Sequence, residues 1–190
     1  FRGPVLTRFD GREWRGPAPR FAAAARPKLE VVGQPLRYEL TLEPHQRPWL
    51  LTLDASPEGP QLASGTARMT PELQWLTDRP ITELLRYRAQ SYAQFSYGSN
   101  ASSADQALAL ALPEGFNPRT LALAEQMRRD PRFSGARDHQ WVDAALERLR
   151  TGGYVYTLEP GVYGAHTADE FWFDKREGFC EHIASSFVIL

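Results

Sequence analysis

Thiol chemistry is nearly absent from this sequence: Cys180 is the one cysteine among 190 residues, so no internal disulfide forms and the redox compartment is left open. An unpaired thiol in an exported chain is nevertheless a reactive group. No apolar run approaches the roughly 20 residues that cross a bilayer, and the opening FRGPVLTRFDGREW lacks the charged-then-apolar order of a signal peptide. Charge of one sign is also missing. Lys and Arg number 22 against 23 Asp and Glu, a net charge of −1 with arginines scattered among acids, which excludes nucleic acid and an anionic membrane surface as expected partners. There is no Cys–His pair at ligand spacing and no D-x-D-x-D-G loop, so no metal, calcium included, and no cofactor is expected. No repeat occurs, and FAAAAR is too short to count as low complexity. The missing initiator methionine reads as a piece of a larger protein.

What is present is a globular composition, 42% hydrophobic, whose patterning changes near residue 100. In LRYELTLEP, Leu36, Tyr38, Leu40 and Leu42 alternate with Arg37, Glu39, Thr41 and Glu43, the period of a strand with one buried face. WLLTLDAS follows across PHQRP, and the two are expected to form an antiparallel pair. LLRYRAQSYAQFSY alternates again, with Leu85, Tyr87, Ala89, Ser91, Ala93 and Phe95 on one side. Prolines 44, 48, 57, 60, 71 and 80 fall between the strands, where a missing N–H costs nothing. The expectation for residues 1–100 is a small β-sandwich of the immunoglobulin-like kind.

Beyond GSNASSADQ, which reads as a linker or loop, the period becomes helical. Asn117 is placed to cap a helix with Pro118 in its first turn and Leu121, Ala124 and Met127 along one face, ending before Pro131. Asp138 is the expected cap of a second helix striped by Trp141, Val142, Ala145, Leu146 and Leu149 and stopped by Gly152 or Gly153. YVYTLEP is one short strand. A third helix starts after Gly178, which breaks an extended segment, and its expected stripe is Ile183, Ala184, Phe187 and Val188. The fold class is therefore α+β, with residues 101–190 mainly helical.

Cys180 falls in the first turn of that third helix. There the unpaired backbone N–H groups and the helix dipole favour an anion, hence a nucleophilic thiolate, and the same donors suit the oxyanion of a tetrahedral intermediate. Position alone leaves two readings open: a nucleophile, or a small buried core residue.

GFCEHIASSFVIL, preceded by YTLEPG and DEFWFDKR, is similar to the cysteine motif of the transglutaminase-like superfamily, in which Gly-x-Cys opens a buried helix. More narrowly it resembles the bacterial membrane-anchored, periplasmic transglutaminases of the TgpA type. The resemblance is tightest over 154–190, reaches loosely back through LPEGFNPRTLALA to about 103, and RYRAQSY fits the end of that family's preceding β-rich region. It implies that residues 101–190 are the helical first half of a transglutaminase-like, papain-like cysteine core. It further implies a Cys–His–Asp triad that takes an acyl group from a glutamine side chain, releases ammonia and passes the acyl group to an amine or water. Cys180 alone carries over. The triad His and Asp are expected on strands beyond this chain, which by itself is expected to be inactive. The implied partners are a protein or peptide bearing glutamine and an amine acceptor. The implied location is the periplasmic side of a bacterial inner membrane, anchored by segments outside this chain.

The four histidines are not expected to serve as the base: His182 is too near in sequence, His166 lies in a loop, and His139 and His45 are surface residues. Glu181 complements the helix dipole. Trp172, with Phe171 and Phe173, walls a substrate cleft or belongs to the core, and Asp174 with Lys175 borders the acyl-donor groove or forms a surface turn. A cysteine peptidase or amidase uses the same triad with water as acceptor, and a non-catalytic interaction module keeps the fold alone. Both stand as alternatives.

Overall fold

The computed structural model describes residues 1–16, 28–98 and 103–190. FAAAAR and positions 99–102 of the expected linker lie outside the described residues. The architecture is mixed, with antiparallel β-ladders followed by helices. Two compact units are formed by residues 1–8 with 14–110, and by 9–13 with 111–190.

Along the chain, β1 (Arg8–Phe9) and β2 (Trp14–Arg15) pair; in the first unit, β3 (Lys28–Val32) runs antiparallel to the late strand β9 (Gln94–Gly98). β4 (Leu36–Leu42) lies antiparallel to β8 (Leu85–Ser91), in the register Leu36↔Ser91 through Leu42↔Leu85. β5 (Trp49–Leu50), β7 (Trp75–Thr77) and β6 (Ala67–Met69) make a three-stranded ladder in that spatial order. The expected pairing of LRYELTLEP with WLLTLDAS is therefore wrong: β4 takes β8, and β5 takes β7. Pro48 and Pro57 bracket the WLLTLDAS segment, which offers β5 only two ladder residues and gives Thr52 to a bridge with Arg2. The β4–β8 register by contrast matches seven residues on each strand, with Tyr38, Leu40 and Leu42 opposite Ala89, Tyr87 and Leu85.

The alternation in β4 and β8 holds except at the strand start, where Leu36 is exposed: Tyr38, Leu40 and Leu42 are half-buried, Tyr87, Ala89 and Ser91 buried, and Glu39, Arg86 and Arg88 exposed. It does not continue to Phe95, as expected, because the chain breaks at Tyr92 and Ala93 and re-pairs with β3, leaving Phe95 exposed. The core groups Leu50, Trp75, Ile81 and Tyr87, with Leu40, Leu42, Leu62 and Met69 packed against them. Polar tips are satisfied: the Trp75 indole N–H donates to the Ser56 carbonyl (3.0 Å), and Ser91 Oγ donates to Leu53 O (3.0 Å). The Tyr38 hydroxyl receives the Leu53 N–H at 2.9 Å and meets Ser91 Oγ at 2.9 Å. On the exposed face Glu39 pairs with Arg86 and Arg88, and the Arg86 hydrogen bond, opposed by partial desolvation, holds its carboxyl below the usual range. Part of the expected linker is helical, as α1 (Ser103–Ala109).

The second unit carries α2 (Pro118–Arg129), a 3-10 turn (Pro131–Phe133) and α3 (Asp138–Thr151). They are followed by β10 (Val155–Tyr156), α4 (Thr167–Asp169) running directly into a π-helical turn (Glu170–Lys175), β11 (Glu177–Gly178) and α5 (Cys180–Ile189). The cap of α3 is Arg137, whose N–H is taken by the Gln140 side chain at 2.8 Å, so Asp138 is the first helical residue rather than the cap. Trp141 and Leu149 are half-buried and Ala145 buried, while Val142 and Leu146, expected on the same stripe, are exposed; so is Leu121 of α2. The extended segment expected immediately before Gly178 is limited to β11; residues 167–175 ahead of it are helical, with Ala168, Phe171 and Trp172 inside, an i, i+3, i+4 stripe.

Burial pushes the Tyr87 hydroxyl, which donates to Leu51 O at 2.7 Å, up to about 12. An unfolded tyrosine ionises near about 10. Between those two values the unfolded chain has given up a proton that the folded one retains, so this stabilisation is complete below about pH 10 and is lost as pH rises toward 12. Chemical denaturation across pH 9–12 is expected to show that decline, and Tyr87→Phe is expected to make it shallower.

Candidate functional site

The helix starts in the second unit are tied to one another before any reactive group is placed. Asn117 precedes α2 in the left-handed conformation (φ 52°), which asparagine tolerates better than most residues. Its side chain does not cap its own helix. Asn117 Oδ1 instead accepts the N–H groups of Ala168 (3.0 Å) and Asp169 (3.5 Å), at the start of α4. Asp169 returns the contact: Oδ2 accepts Arg119 N–H (3.0 Å), and Oδ1 accepts Thr120 N–H and Thr120 Oγ1–H (both 2.7 Å). Each helix thus has its orphan N–H groups filled by a side chain from the other. Asn117 and Asp169 are 1% and 3% exposed, so water does not compete for these groups. His166 completes the knot, with Nδ1 accepting Asn117 N–H at 3.1 Å.

This knot sets the direction of the π-helical turn, which drives Phe171 and Trp172 into the core with no exposed surface. Tyr154 stacks on Phe171 at 5.1 Å and meets Trp172 edge-on at 5.4 Å. The Trp172 indole N–H donates to the Ser186 carbonyl of α5 at 2.9 Å. In this chain Trp172 is a core residue. Asp174 is exposed and ion-paired: both its oxygens take Arg119 Nη1, at 2.9 and 2.8 Å, while the Arg119 guanidinium lies 4.5 Å over the Phe173 ring. It fastens the π-helical turn to α2 at the surface.

After Lys175 the chain reverses through Arg176, at φ 54°, and enters β11. β11 runs parallel to β10, with Tyr156 opposite Gly178; Val155 N–H donates to Arg176 O (2.8 Å) and Thr157 N–H to Gly178 O (2.9 Å). Gly178 is buried, and a Cβ there would stand 2.7 Å from the Cβ of His182. The first turn of α5 folds directly back over that glycine, which is why the position before Phe-Cys has no side chain. Cys180, the first residue of α5, is free and exposed. Within this chain the thiol is at the surface rather than in a core.

Around it, Glu181 is exposed in the first turn, and the His182 ring packs between Tyr163 and Phe179, each at 4.5 Å between ring centroids. Burial, with the Glu177 and Glu170 charges adding to it, pushes the Tyr163 hydroxyl up to about 12. The α5 stripe is rotated from the expected one: Ser186 and Ile189 are buried, whereas Ala184 and Val188 are exposed. Trp172 is the reason, since its bond to Ser186 O turns that side of the helix inward. His139 is exposed, and His45 is half-buried in the first unit. No group of three or more His, Cys, Asp or Glu able to hold a metal occurs among the described residues. Asn117 was expected as a simple cap, and Asp169 and Tyr163 were not expected to matter; the available signal was the pair Asn-Pro and Thr-Ala-Asp, each at a helix start.

Residues 1–97 match the family described as the TgpA N-terminal domain. Over all 190 residues the chain is 31% identical to a protein-glutamine gamma-glutamyltransferase of Pseudomonas aeruginosa, of which it spans 27% of the length. It is also similar to the crystal structure of the periplasmic domain of TgpA from P. aeruginosa, at a TM-score of 0.84 and 32% identity over 98% of this chain and 62% of that one. The ethylmercury-bound form of that domain matches at a TM-score of 0.83 and 32% identity, over 98% and 63% of the two chains. The chain therefore spans about a quarter of the curated relative and less than two thirds of the solved domain.

Three outcomes are expected from the site geometry. Iodoacetamide should alkylate one thiol per chain in native buffer, with the same stoichiometry in denaturant, because Cys180 is already exposed. Asp169→Ala should lower stability by about 2–4 kcal/mol, since it strands buried donors at the start of α2. Gly178→Ala should cost about 1–3 kcal/mol through overpacking against His182. Urea titrations followed by tryptophan fluorescence measure both losses.

Proposed function

The chain belongs to the family of the TgpA N-terminal domain, and on that premise we propose that it is part of a transglutaminase in which Cys180 is the acyl-accepting nucleophile. The observation that carries the reading is an exposed lone thiol on the first residue of a helix, held from behind by a glycine strand and a packed aromatic core. In the reaction, the thiolate attacks the γ-carboxamide carbon of a glutamine side chain and the tetrahedral oxyanion is met by backbone N–H groups at the helix start. The C–N bond breaks, the nitrogen takes a proton and leaves as ammonia, and a thioester remains. An amine then attacks the thioester, forms the new amide and returns the thiol.

The proton acceptor and its orienting acid are assigned to a His and an Asp outside this chain. His166 is committed to Asn117, and His182 is packed between two rings, which supports that assignment. In the same reading the first unit is an immunoglobulin-like sandwich accessory to the enzyme, and the second is the helical first half of a transglutaminase-like core. A periplasmic location at the bacterial inner membrane is supported by the likeness to the periplasmic domain of TgpA. No helix among the described residues is long and apolar enough to cross a membrane; in this reading the anchor is a property of the parent protein.

The test uses a full-length protein containing this chain, a glutamine-bearing protein and a labelled primary amine. Incorporation with stoichiometric ammonia release is expected, Cys180→Ala should reduce it to background, and the 190-residue chain alone should show none. Ammonia release without amine incorporation would identify an amidase. Full activity in Cys180→Ala would refute the nucleophile assignment.

A further inference from the structure

The side chains behind Cys180 form a column. Lys175 Nζ lies 4.7 Å from the centroid of the Tyr163 ring and donates to Val162 O at 2.6 Å. Tyr163 meets the imidazole of His182 at 4.5 Å with the rings tilted by 41°, and His182 meets Phe179 edge-on at 4.5 Å and 84°. The Tyr163 hydroxyl donates to the carbonyl of Glu177. The three residues that lead into the thiol are each held: the Glu177 carbonyl by the phenol, Gly178 by His182, whose Cβ leaves no room for a side chain there, and the Phe179 ring by the imidazole.

One detail separates this from ordinary packing. His182 Nδ1 is buried and has no hydrogen-bond partner, although buried polar atoms are nearly always paired. A ring held for its polar atom would have an acceptor or donor there. A ring held for its shape, in a slot lined by Tyr163, Phe179 and Gly178, need not.

We infer that His182 is a positioning residue for Cys180, acting through ring packing rather than proton transfer, and that it fixes the direction of the thiol and of the N–H groups at the start of α5. The inference rests on the reading of Cys180 as the nucleophile. Chemistry of that kind is sensitive to placement, and a shift of about 1 Å costs on the order of 100-fold in rate. His182 crowds Gly178, meets Phe179 and packs on Tyr163, which holds the Glu177 carbonyl, so loss of the central ring loosens all three residues that lead into the thiol.

The experiment measures kcat and KM for the full-length protein with a glutamine donor. His182→Ala is expected to lower kcat about 10- to 100-fold with little change in KM. His182→Phe, which refills the slot without a ring nitrogen, should restore most of kcat. Leu50→Ala, in the core of the first unit, serves as a destabilised control and should leave kcat per folded molecule unchanged. Should His182→Ala not fold, Lys175→Met at the outer end of the column should give a smaller fall in kcat at constant KM. A His182→Phe protein as impaired as His182→Ala would overturn the inference, as would a kcat that merely tracks the folded fraction. Activity surviving Cys180→Ala would instead sink the functional reading beneath it, so the two failures are distinguishable.

Discussion

Two buried side chains, Asn117 and Asp169, hold the second unit in its arrangement by capping each other's helices. Helix starts carry unpaired N–H groups that must be satisfied wherever water is excluded. Most helices meet this need locally. Here α2 and α4 meet it mutually, so that neither start is satisfied unless the other helix is docked, and two segments about 50 residues apart are bound by one network. The demand is strict because both residues are almost wholly buried.

From that knot the rest of the unit follows by contact. With the start of α4 fixed, the π-helical turn presents Phe171 and Trp172 inward, and the Trp172 indole reaches the Ser186 carbonyl and sets the rotation of α5. The Arg119–Asp174 pair closes the same junction at the surface, where solvent screens it and its contribution is small. The inward rotation of Ser186 and Ile189 leaves Ala184 and Val188 on the open side of the helix. The exposed thiol at one end of α5 and its anchored middle are two results of one geometry.

The first unit is stabilised differently. Its strands are short and its ladders have two or three members, so ring and hydroxyl contacts across loops carry much of the cohesion. Tyr38, Tyr87 and Trp75 each hand a polar tip to a backbone group of residues 51–56, Tyr87 and Trp75 with their rings in the core. That segment has few ladder partners of its own, and the side chains supply contacts to its backbone.

Local features were legible in the sequence because they depend on neighbours a few residues away. The alternation of β4 and β8, the helices over 118–129 and 138–151, the proline-marked gaps and the placement of Cys180 in a first helical turn all belong to this class. So did the motif around Gly178, Cys180 and His182 that carries the family resemblance. What the pattern did not determine were choices between partners distant in the chain. β4 selected β8 over the nearer WLLTLDAS because seven residues on each strand pair there in the register that buries the apolar face. The run Glu170–Lys175 became helical, although its consecutive aromatics suit an extended chain, because the Asn117 cap and the aromatic core stabilise a helix there. Trp172 went to the core for the same reason. Residue type and spacing determine which groups need burial or a hydrogen bond, but only the folded chain decides which distant atom supplies it.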